Sequence, residues 1–290
     1  MKGQIVIPRS KSKLGALEIT SDDYSFIQSF VLKHTGIKLD DQKKELLQNR
    51  LGGVLRSRGL STVNQYRNSV LRNASRADIQ ELTDCITTNY TYFYREPAHF
   101  RLLLERVLPE VTARAERRGK RELRMWCAAA STGEEPYTLM MIQMEHFQRT
   151  YPNWDAGLLA TDISRQALGS ALQGVYTPEQ LIKLPDHLRR RYTRPAGRRK
   201  VEVLPALRHE VTFRRFNLMN PLYPFQHGFD VIFCRNVLIY FDQKTRTEVL
   251  KKLASVTRPG GYVFISQAET VEFPEQLFET VSGSVFRRRG

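Results

Sequence analysis

The chain has 290 residues, 41% of them apolar, which is enough to bury one large core or two smaller ones. Its formal net charge of +15 excludes an electrically neutral surface and indicates an acidic partner: nucleic acid, anionic lipid or an acidic protein. Cys85, Cys127 and Cys234 lie far apart, so we expect reduced thiols and no metal site. We find neither a membrane-spanning apolar run nor the apolar stretch of a signal peptide. These features favour a cytoplasmic protein.

The first part of the chain is predicted to be helical. Residues 1–20 form a basic tail without a clear period, which we expect to be flexible. From residue 21 to residue 86, apolar side chains recur at helical spacing in successive segments, and Gly36 and Gly59 end the first two. This pattern predicts an all-α domain over residues 21–86.

Positive charge is concentrated in this helical domain, because basic residues outnumber acidic ones between residues 21 and 76. On the second long helix, Arg56 points away from the apolar side and Arg50 borders it. Two interpretations remain open. The charges form either a solvated helix face or a docking surface for an acidic helix of another protein.

A polar and aromatic segment, residues 87–98, follows without any periodicity and predicts a linker. Its aromatic side chains need cover, so we expect the linker to lie across the domain that follows. Residues 99–114 are then predicted to form an amphipathic helix. The larger domain is predicted to extend from residue 99 to residue 290.

The most informative stretch runs from Leu123 to Asp162 and contains an apolar strand, a turn of small residues, a helix and a second strand. This order is typical of the nucleotide-binding half of a doubly wound sheet, where a terminal acid such as Asp162 can bind two ribose hydroxyls. The turn has one glycine, Gly133, and lacks both the dinucleotide fingerprint and the P-loop lysine. Glu134 and Glu135 would repel a pyrophosphate, so S-adenosylmethionine, a cationic adenosine ligand, fits better than NAD or ATP. The alternative is that both glutamates only complement the helix dipole.

Strands and helices alternate from Leu123 to Ile265, which predicts an α/β fold with a mainly parallel sheet and helices on both faces. Ligands bind such sheets at the carboxyl ends of the strands, where we expect Asp162, Asn217 and Asn236.

Residues 192–215 interrupt this alternation. Short β-like runs surround a turn there, and basic residues are dense from residue 189 to residue 200. We expect a small antiparallel β-subdomain inserted in the larger domain. Its basic surface is either solvated or a second docking site.

Four motifs together resemble one protein family. They are TTN at 87–89 with FYRE at 93–96, AASTGEEPY at 129–137, ATDI at 160–163 and FCRNVLIYF at 233–241. In this order they resemble the glutamate methyltransferases of chemotaxis receptors, the CheR family, over about residues 22–286. The resemblance implies an N-terminal all-α domain, a class I S-adenosylmethionine-dependent methyltransferase fold with an inserted β-subdomain, and a cytoplasmic location.

The resemblance also implies a cofactor site built from the linker and from the ends of several strands. Linker residues reach the cofactor, a glutamate meets its methionine end, an aspartate binds its ribose and an Asn-Leu pair frames its adenine. The implied cofactor-binding positions are Asn89, Thr91, Arg95, Ala129, Glu134, Asp162, Ile163, Asn217, Leu218, Asn236 and Val237.

Arg95 and Tyr240 are the implied catalytic residues, nearest the transferred methyl group. Without the resemblance, the sequence favours a surface ion pair of Arg95 with Glu96 and a core position for Tyr240. The implied acceptor is a receptor glutamate, whose pKa of about 4.3 leaves it ionised at neutral pH, so no general base is needed. Orientation of the methyl donor and the carboxylate in a pocket without water then supplies much of the rate enhancement. The planar guanidinium of Arg95 can hold the carboxylate.

The implied partners are the cytoplasmic helices of methyl-accepting chemotaxis receptors, with Arg50 and Arg56 as docking residues. Some family members also bind a C-terminal receptor peptide through the β-subdomain. Residues 193–198 here have a single glycine, fewer than the loop associated with that contact, so peptide binding stays open. We expect a monomer that binds no nucleic acid and does not insert into a membrane. Two rival functions are a methyltransferase for RNA or DNA and a non-catalytic S-adenosylmethionine sensor.

Overall fold

The computed structural model describes residues 17–271 and 273–290, apart from the side chain of Gln42. Of the predicted tail, residues 1–16 lie outside the described residues, whereas the next four belong to the helical domain. Ile19 is buried in the core of that domain, and the Thr20 hydroxyl accepts a hydrogen bond from the N–H of Asp23. The helical domain therefore begins before residue 21, because a helix cap and a buried side chain precede the first helix.

Four α-helices form the N-terminal domain: α1 (Ser21–Thr35), α2 (Lys44–Ser57), α3 (Val63–Ser69) and α4 (Arg76–Ile86). Their apolar faces meet in one core that contains Ile27, Leu51 and Tyr66. Gly36 ends α1 with φ 74°, and a Cβ atom there would lie 2.5 Å from Sδ of Met219 in the larger domain. Glycine at this position therefore lets the two domains approach each other closely.

The two predicted docking residues on α2 have different environments. Arg50 is half-buried, and its Nη1 donates hydrogen bonds to the carbonyl oxygens of Cys85 (3.1 Å) and Thr87 (2.7 Å) at the end of α4. Arg56 is exposed. Arg50 therefore satisfies carbonyl groups that the end of α4 leaves without helical partners, whereas Arg56 presents its charge to solvent.

The linker lies across the larger domain. Phe93 is completely buried there, and the ring of Tyr94 stacks on Phe100 at a centroid distance of 4.9 Å. The helix that follows begins at Pro97, where the missing N–H costs little. It continues as α5 (Pro97–Leu102), a π-helical turn (Leu103–Val107) and α6 (Leu108–Arg117).

Ten strands follow: β1 (Met125–Cys127), β2 (Leu158–Asp162), β3 (Val175–Tyr176), β4 (Thr193–Pro195), β5 (Val201–Val203), β6 (Val211–Arg215), β7 (Phe229–Phe233), β8 (Thr257–Phe264), β9 (Phe278–Ser282) and β10 (Val285–Arg288). Seven of them form one sheet in the order β6-β2-β1-β7-β8-β10-β9. The first five strands of this order are parallel, and β10 is antiparallel to both of its neighbours. The order reverses at β1, and ligands bind beyond the carboxyl ends of the strands at such a point.

The helices of the larger domain cover both faces of this sheet. The remaining ones are α7 (Glu134–Phe147), α8 (Arg165–Gln173), α9 (Asp186–Tyr192), α10 (Pro205–His209) and α11 (Gln243–Val256). One apolar layer contains side chains of α6 and α7, and a second contains side chains of α11. The predicted doubly wound α/β fold is confirmed. Among the described residues, no helix has both the length and the apolar character needed to cross a membrane.

The inserted β-subdomain has different bounds from those predicted. It is a separate antiparallel sheet in the order β3-β5-β4, so it extends from about residue 175 to residue 203. The predicted range 192–215 wrongly includes β6, which pairs in parallel with β2 in the main sheet. A short β-like run does not show which strand it pairs with, since strand preference depends on the neighbours it finds.

We predict that Arg50→Ala lowers the free energy of unfolding by about 1–3 kcal/mol, because two carbonyl oxygens lose a charged donor. Arg56→Ala makes the same change at an exposed position of α2 and should alter stability by less than about 0.5 kcal/mol. Urea unfolding followed by circular dichroism measures both variants. Equal stabilities would show that Arg50 does not hold α2 to α4.

Candidate functional site

A cavity of about 370 Å³ lies between the two domains, beyond the carboxyl ends of β1, β2 and β7. It is lined by the segment after α1, the linker, the turns after β1 and β2, and the segments after β6 and β7. All predicted site positions in the larger domain and linker except Glu134 line it: Asn89, Thr91, Arg95, Ala129, Asp162, Ile163, Asn217, Leu218, Asn236, Val237 and Tyr240.

Asp162, the last residue of β2, is fixed by backbone groups on both sides of its carboxylate. Its Oδ2 accepts the N–H of Ser131 at 2.8 Å, and its Oδ1 accepts the N–H of Ser164 at 2.9 Å. Burial raises the pKa of this carboxyl, and these N–H groups oppose the rise. Each oxygen keeps a further lone pair. The carboxylate is therefore oriented to accept two more hydrogen bonds, as a pair of vicinal hydroxyls would supply.

Glu134 does not line the cavity. Its carboxylate accepts hydrogen bonds from the Thr132 hydroxyl (2.6 Å) and from the side-chain amide of Gln180 (3.2 Å). Burial raises its pKa, and these hydrogen bonds oppose the rise. The side chain of Glu134, expected at the methionine end of the ligand, therefore points into the protein and not into the cavity. Successive residues of a helix point about 100° apart, so the neighbouring Glu135 faces the cavity instead.

Glu135 is held by a buried arginine that it shares with a second acid. Arg235 Nη1 donates to Glu135 Oε2 at 2.6 Å, and Arg235 Nη2 lies 3.3 Å from Glu96 Oε2. The side chain of Arg235 is completely buried, and its guanidinium lies 5.5 Å from the ring centroid of Phe100. Since Arg235 is shared with Glu96, the carboxyl group of Glu135 is only partly neutralised and makes this wall of the cavity acidic, which suits a positively charged group.

Arg95 is held by aromatic rings and not by its neighbour Glu96. Its guanidinium lies 5.8 Å and 5.7 Å from the ring centroids of Tyr90 and Tyr92. Its carbonyl oxygen accepts a hydrogen bond from Arg235 Nη2 at 2.6 Å. The alternative of a surface ion pair between Arg95 and Glu96 fails, because Glu96 pairs with Arg235. The backbone of Arg95 is thus fixed by the same guanidinium that binds Glu135.

Tyr240 lies at the junction of the domains and is only half-buried, so the alternative of a core aromatic residue also fails. Nζ of Lys43 lies 5.0 Å from its ring centroid, and its carbonyl oxygen accepts the N–H of Lys38 at 2.8 Å. Burial raises the pKa of the phenol, and the nearby Arg95 opposes the rise. Tyr240 is therefore protonated at neutral pH and can donate a hydrogen bond.

The N-terminal domain supplies one wall of the cavity, which the sequence analysis missed. Ile37 forms an isolated antiparallel bridge with Phe241, next to the chain segment that carries Tyr240. These contacts join residues far apart in sequence, and no local pattern indicates them. The wall consists of Thr35, Ile37, Leu39 and Lys43, together with Ile86 at the end of α4.

The side chain of Asn217 connects the domains. Its Nδ2 donates to the carbonyl oxygen of His34 at 3.0 Å, and its Oδ1 accepts the N–H of Met219 at 2.9 Å. The amide is therefore used within the protein, although the residue lines the cavity. Asn217 shapes the cavity wall by holding the segment after β6 against the end of α1.

Models of known families match the chain in two consecutive blocks. The all-alpha domain of CheR methyltransferase matches residues 22–87, and the SAM binding domain of CheR methyltransferase matches residues 89–287. The boundary between the blocks falls in the linker, and the second block contains β1, β2 and β7, whose carboxyl ends form the floor of the cavity.

Curated relatives are similar over almost the whole chain. The chemotaxis protein methyltransferase of Borreliella burgdorferi is 37% identical over 90% of this chain and 92% of its own length. That of Escherichia coli is 34% identical over 93% of this chain and 92% of its own length. Chemotaxis protein methyltransferase 2 of Pseudomonas aeruginosa is 35% identical over 92% of this chain and 93% of its own length.

The geometry agrees with these matches. The oriented carboxylate of Asp162 suits ribose hydroxyls, and the acidic wall at Glu135 suits a cationic group, so the residues present fit S-adenosylmethionine. The resemblance found in the sequence is confirmed. The chain belongs to the CheR methyltransferase family and is an S-adenosylmethionine-dependent methyltransferase.

Proposed function

We propose that this methyltransferase acts in chemotaxis and converts glutamate side chains in the cytoplasmic helices of chemotaxis receptors to methyl esters. The observation that carries the proposal is that Arg95 of the linker and Tyr240 of the segment after β7 both line one cavity between the two domains. Both side chains are hydrogen-bond donors suited to a carboxylate. The names of the relatives support the setting, since they are chemotaxis protein methyltransferases.

S-adenosylmethionine, when bound, supplies an electrophilic methyl group on a positively charged sulfur. Asp162 would hold the ribose, because its two oxygens are oriented by backbone N–H groups and keep free lone pairs. Glu135 would hold the ammonium group, the role that the sequence analysis gave to Glu134. Leu218 and the floor residues Asn236 and Val237 would complete the site.

The acceptor needs little chemical activation. A glutamate carboxylate is ionised at neutral pH, and among the described residues that line the cavity there is no histidine or cysteine to act as a base. Arg95 and Tyr240 orient the carboxylate for an in-line displacement, which converts the encounter into an intramolecular-like step. The cation–π contacts of Arg95 with Tyr90 and Tyr92, and the hydrogen bond from its Nη1 to the carbonyl oxygen of Tyr90 at 3.2 Å, favour the position of the guanidinium at the cavity.

The charge of the N-terminal domain supports an acidic helical substrate. Arg56 is exposed on α2, and the same domain carries Lys43 at the cavity. A substrate helix that docks on this domain would therefore meet Arg56 on α2 and Lys43 at the cavity. Electrostatic attraction of this kind brings partners together faster and weakens as salt is added.

Incubation with methyl-labelled S-adenosylmethionine tests the proposal. Receptor cytoplasmic fragments, RNA and DNA are offered in separate reactions. We expect label on the receptor fragments that mild alkali removes as methanol, and mass spectrometry should locate it on glutamates. Label on nucleic acid, or cofactor binding without any transfer, would contradict the proposal.

We predict that Glu135→Gln weakens the binding of S-adenosylhomocysteine about tenfold or more, because a charged hydrogen bond contributes about 1.5–3 kcal/mol. Glu134→Gln is the adjacent control and should change the dissociation constant less than about threefold. Isothermal titration calorimetry measures both variants. A larger effect at Glu134 than at Glu135 would return the role to Glu134.

We predict that Arg95→Ala lowers kcat about 100-fold, a typical loss for one oriented hydrogen-bond donor. The affinity for S-adenosylhomocysteine should fall much less. Arg101→Ala, an exposed arginine on α5, serves as the control and should retain wild-type turnover. Equal losses of turnover and affinity in Arg95→Ala would assign the residue to cofactor binding instead.

We predict that Arg56→Ala raises KM for a receptor fragment about two- to fivefold at low salt, the range for an exposed ion pair of about 0.2–1 kcal/mol. The difference should shrink at 0.5 M salt because exposed charges are screened. Arg149→Ala is the control, since Arg149 is exposed just after the end of α7 that points away from the cavity. If both variants raise KM equally, the effect comes from net charge and not from docking on α2.

A further inference from the structure

A buried carboxylate outside the cavity organises the segment after β7. Glu269, 8% exposed in the turn after β8, accepts four backbone N–H groups. Its Oε1 accepts from Leu238 (2.7 Å) and Ile239 (3.2 Å), and its Oε2 accepts from Asn236 (3.0 Å) and Ser266 (3.0 Å). Three of these donors belong to the segment that carries Tyr240.

No lysine, arginine or histidine lies within ion-pair distance of Glu269 in the described part of the chain. Its charge is therefore stabilised by N–H dipoles alone. Burial raises the pKa of the carboxyl, and the same N–H groups oppose the rise. A buried, unpaired charge is costly to maintain, which argues that the segment needs this particular set of hydrogen bonds.

The segment has a conformation that requires such support. Asn236 has φ 57°, in the left-handed region that residues other than glycine rarely adopt, and Leu238–Tyr240 form a single 3-10 turn. Convergent N–H groups of this kind form a natural binding site for an anion. The carboxylate of Glu269 occupies that position, and the side chains of Asn236, Val237, Ile239 and Tyr240 face the cavity as a result.

The same turn also holds the linker beside Arg95. The Ser266 hydroxyl donates to Glu96 Oε1 at 2.7 Å and accepts from Asn236 Nδ2 at 2.6 Å, and the N–H of Gln267 donates to Glu96 Oε2 at 3.0 Å. Residues 266–269 thus contact both chain segments that carry the proposed catalytic side chains. Glu269 and Ser266 themselves do not line the cavity.

We propose that Glu269 is a positioning residue for methyl transfer: through the backbone of residues 236–239 it sets the place of Tyr240 relative to Arg95. This inference rests on the proposed glutamate methylation. Glu269→Gln keeps the volume but points an NH₂ group at two backbone donors, so the segment loses its conformation while the sheet remains.

Asp230→Asn is the matched control. Asp230 is also a buried carboxylate, 6% exposed, but it lies near the amino end of β7, where it binds the N–H of Arg124 and the guanidinium of Arg258. Loss of this carboxylate charge should lower the thermal midpoint of unfolding without moving Tyr240. Turnover on a receptor fragment, receptor KM and thermal midpoint are measured for both variants at saturating S-adenosylmethionine.

We expect Glu269→Gln to lower kcat at least tenfold with receptor KM within threefold, and Asp230→Asn to keep kcat within twofold. If Glu269→Gln does not fold, Ser266→Ala tests the inference in its place, and we expect its kcat to fall at least threefold. A kcat within twofold of wild type for the folded Glu269 variant, or equal losses in Asp230→Asn, would overturn the inference, as would unchanged turnover in Ser266→Ala. If the wild-type protein itself transfers no methyl group to receptor fragments, the proposed function fails, and this inference falls with it.

Discussion

The site depends on one buried positive charge, the guanidinium of Arg235. Removed from water, this charge is tolerated only because carboxylates and a carbonyl oxygen surround it. Burial raises the pKa of Glu135 against the opposing effect of Arg235. At Glu96, Arg235, the N–H of Gln267 and the hydroxyl of Ser266 together overcome burial and hold the pKa below its ordinary value. Burial, assisted by Arg235, lowers the pKa of His99 to about 4, so this histidine adds no charge. One guanidinium therefore fixes the acidic wall of the cofactor site and the backbone of Arg95 together.

The second constraint is the close contact of the two domains. The cavity is closed on one side by the segment after α1, and Gln80 Nε2 donates to the carbonyl oxygen of Ile163 at 3.1 Å. The hydroxyl of Ser164, beside Asp162, donates to Asp84 at 2.7 Å. The helical domain is thus part of the cavity wall.

Sequence alone predicted the features that local chemistry determines. The position of Asp162 at the end of β2 and at the cavity was predicted because an acid at the end of an apolar strand has a defined place in a doubly wound sheet. The sheet itself followed from the alternation of strands and helices. Sequence did not indicate that Glu135, and not Glu134, lines the cavity, because the rotation of α7 depends on its packing, here against the β-subdomain. The wall at Ile37 and the parallel pairing of β6 were missed because each depends on a partner distant in the chain.

The most direct test of the account is a crystal structure of the protein with S-adenosylhomocysteine. It should show the ribose hydroxyls within hydrogen-bond distance of the Asp162 carboxylate, the amino group at Glu135, and the sulfur directed towards Arg95 and Tyr240. A ligand bound elsewhere would contradict the account, and so would one whose amino group contacts Glu134 while Glu135 contacts only protein groups.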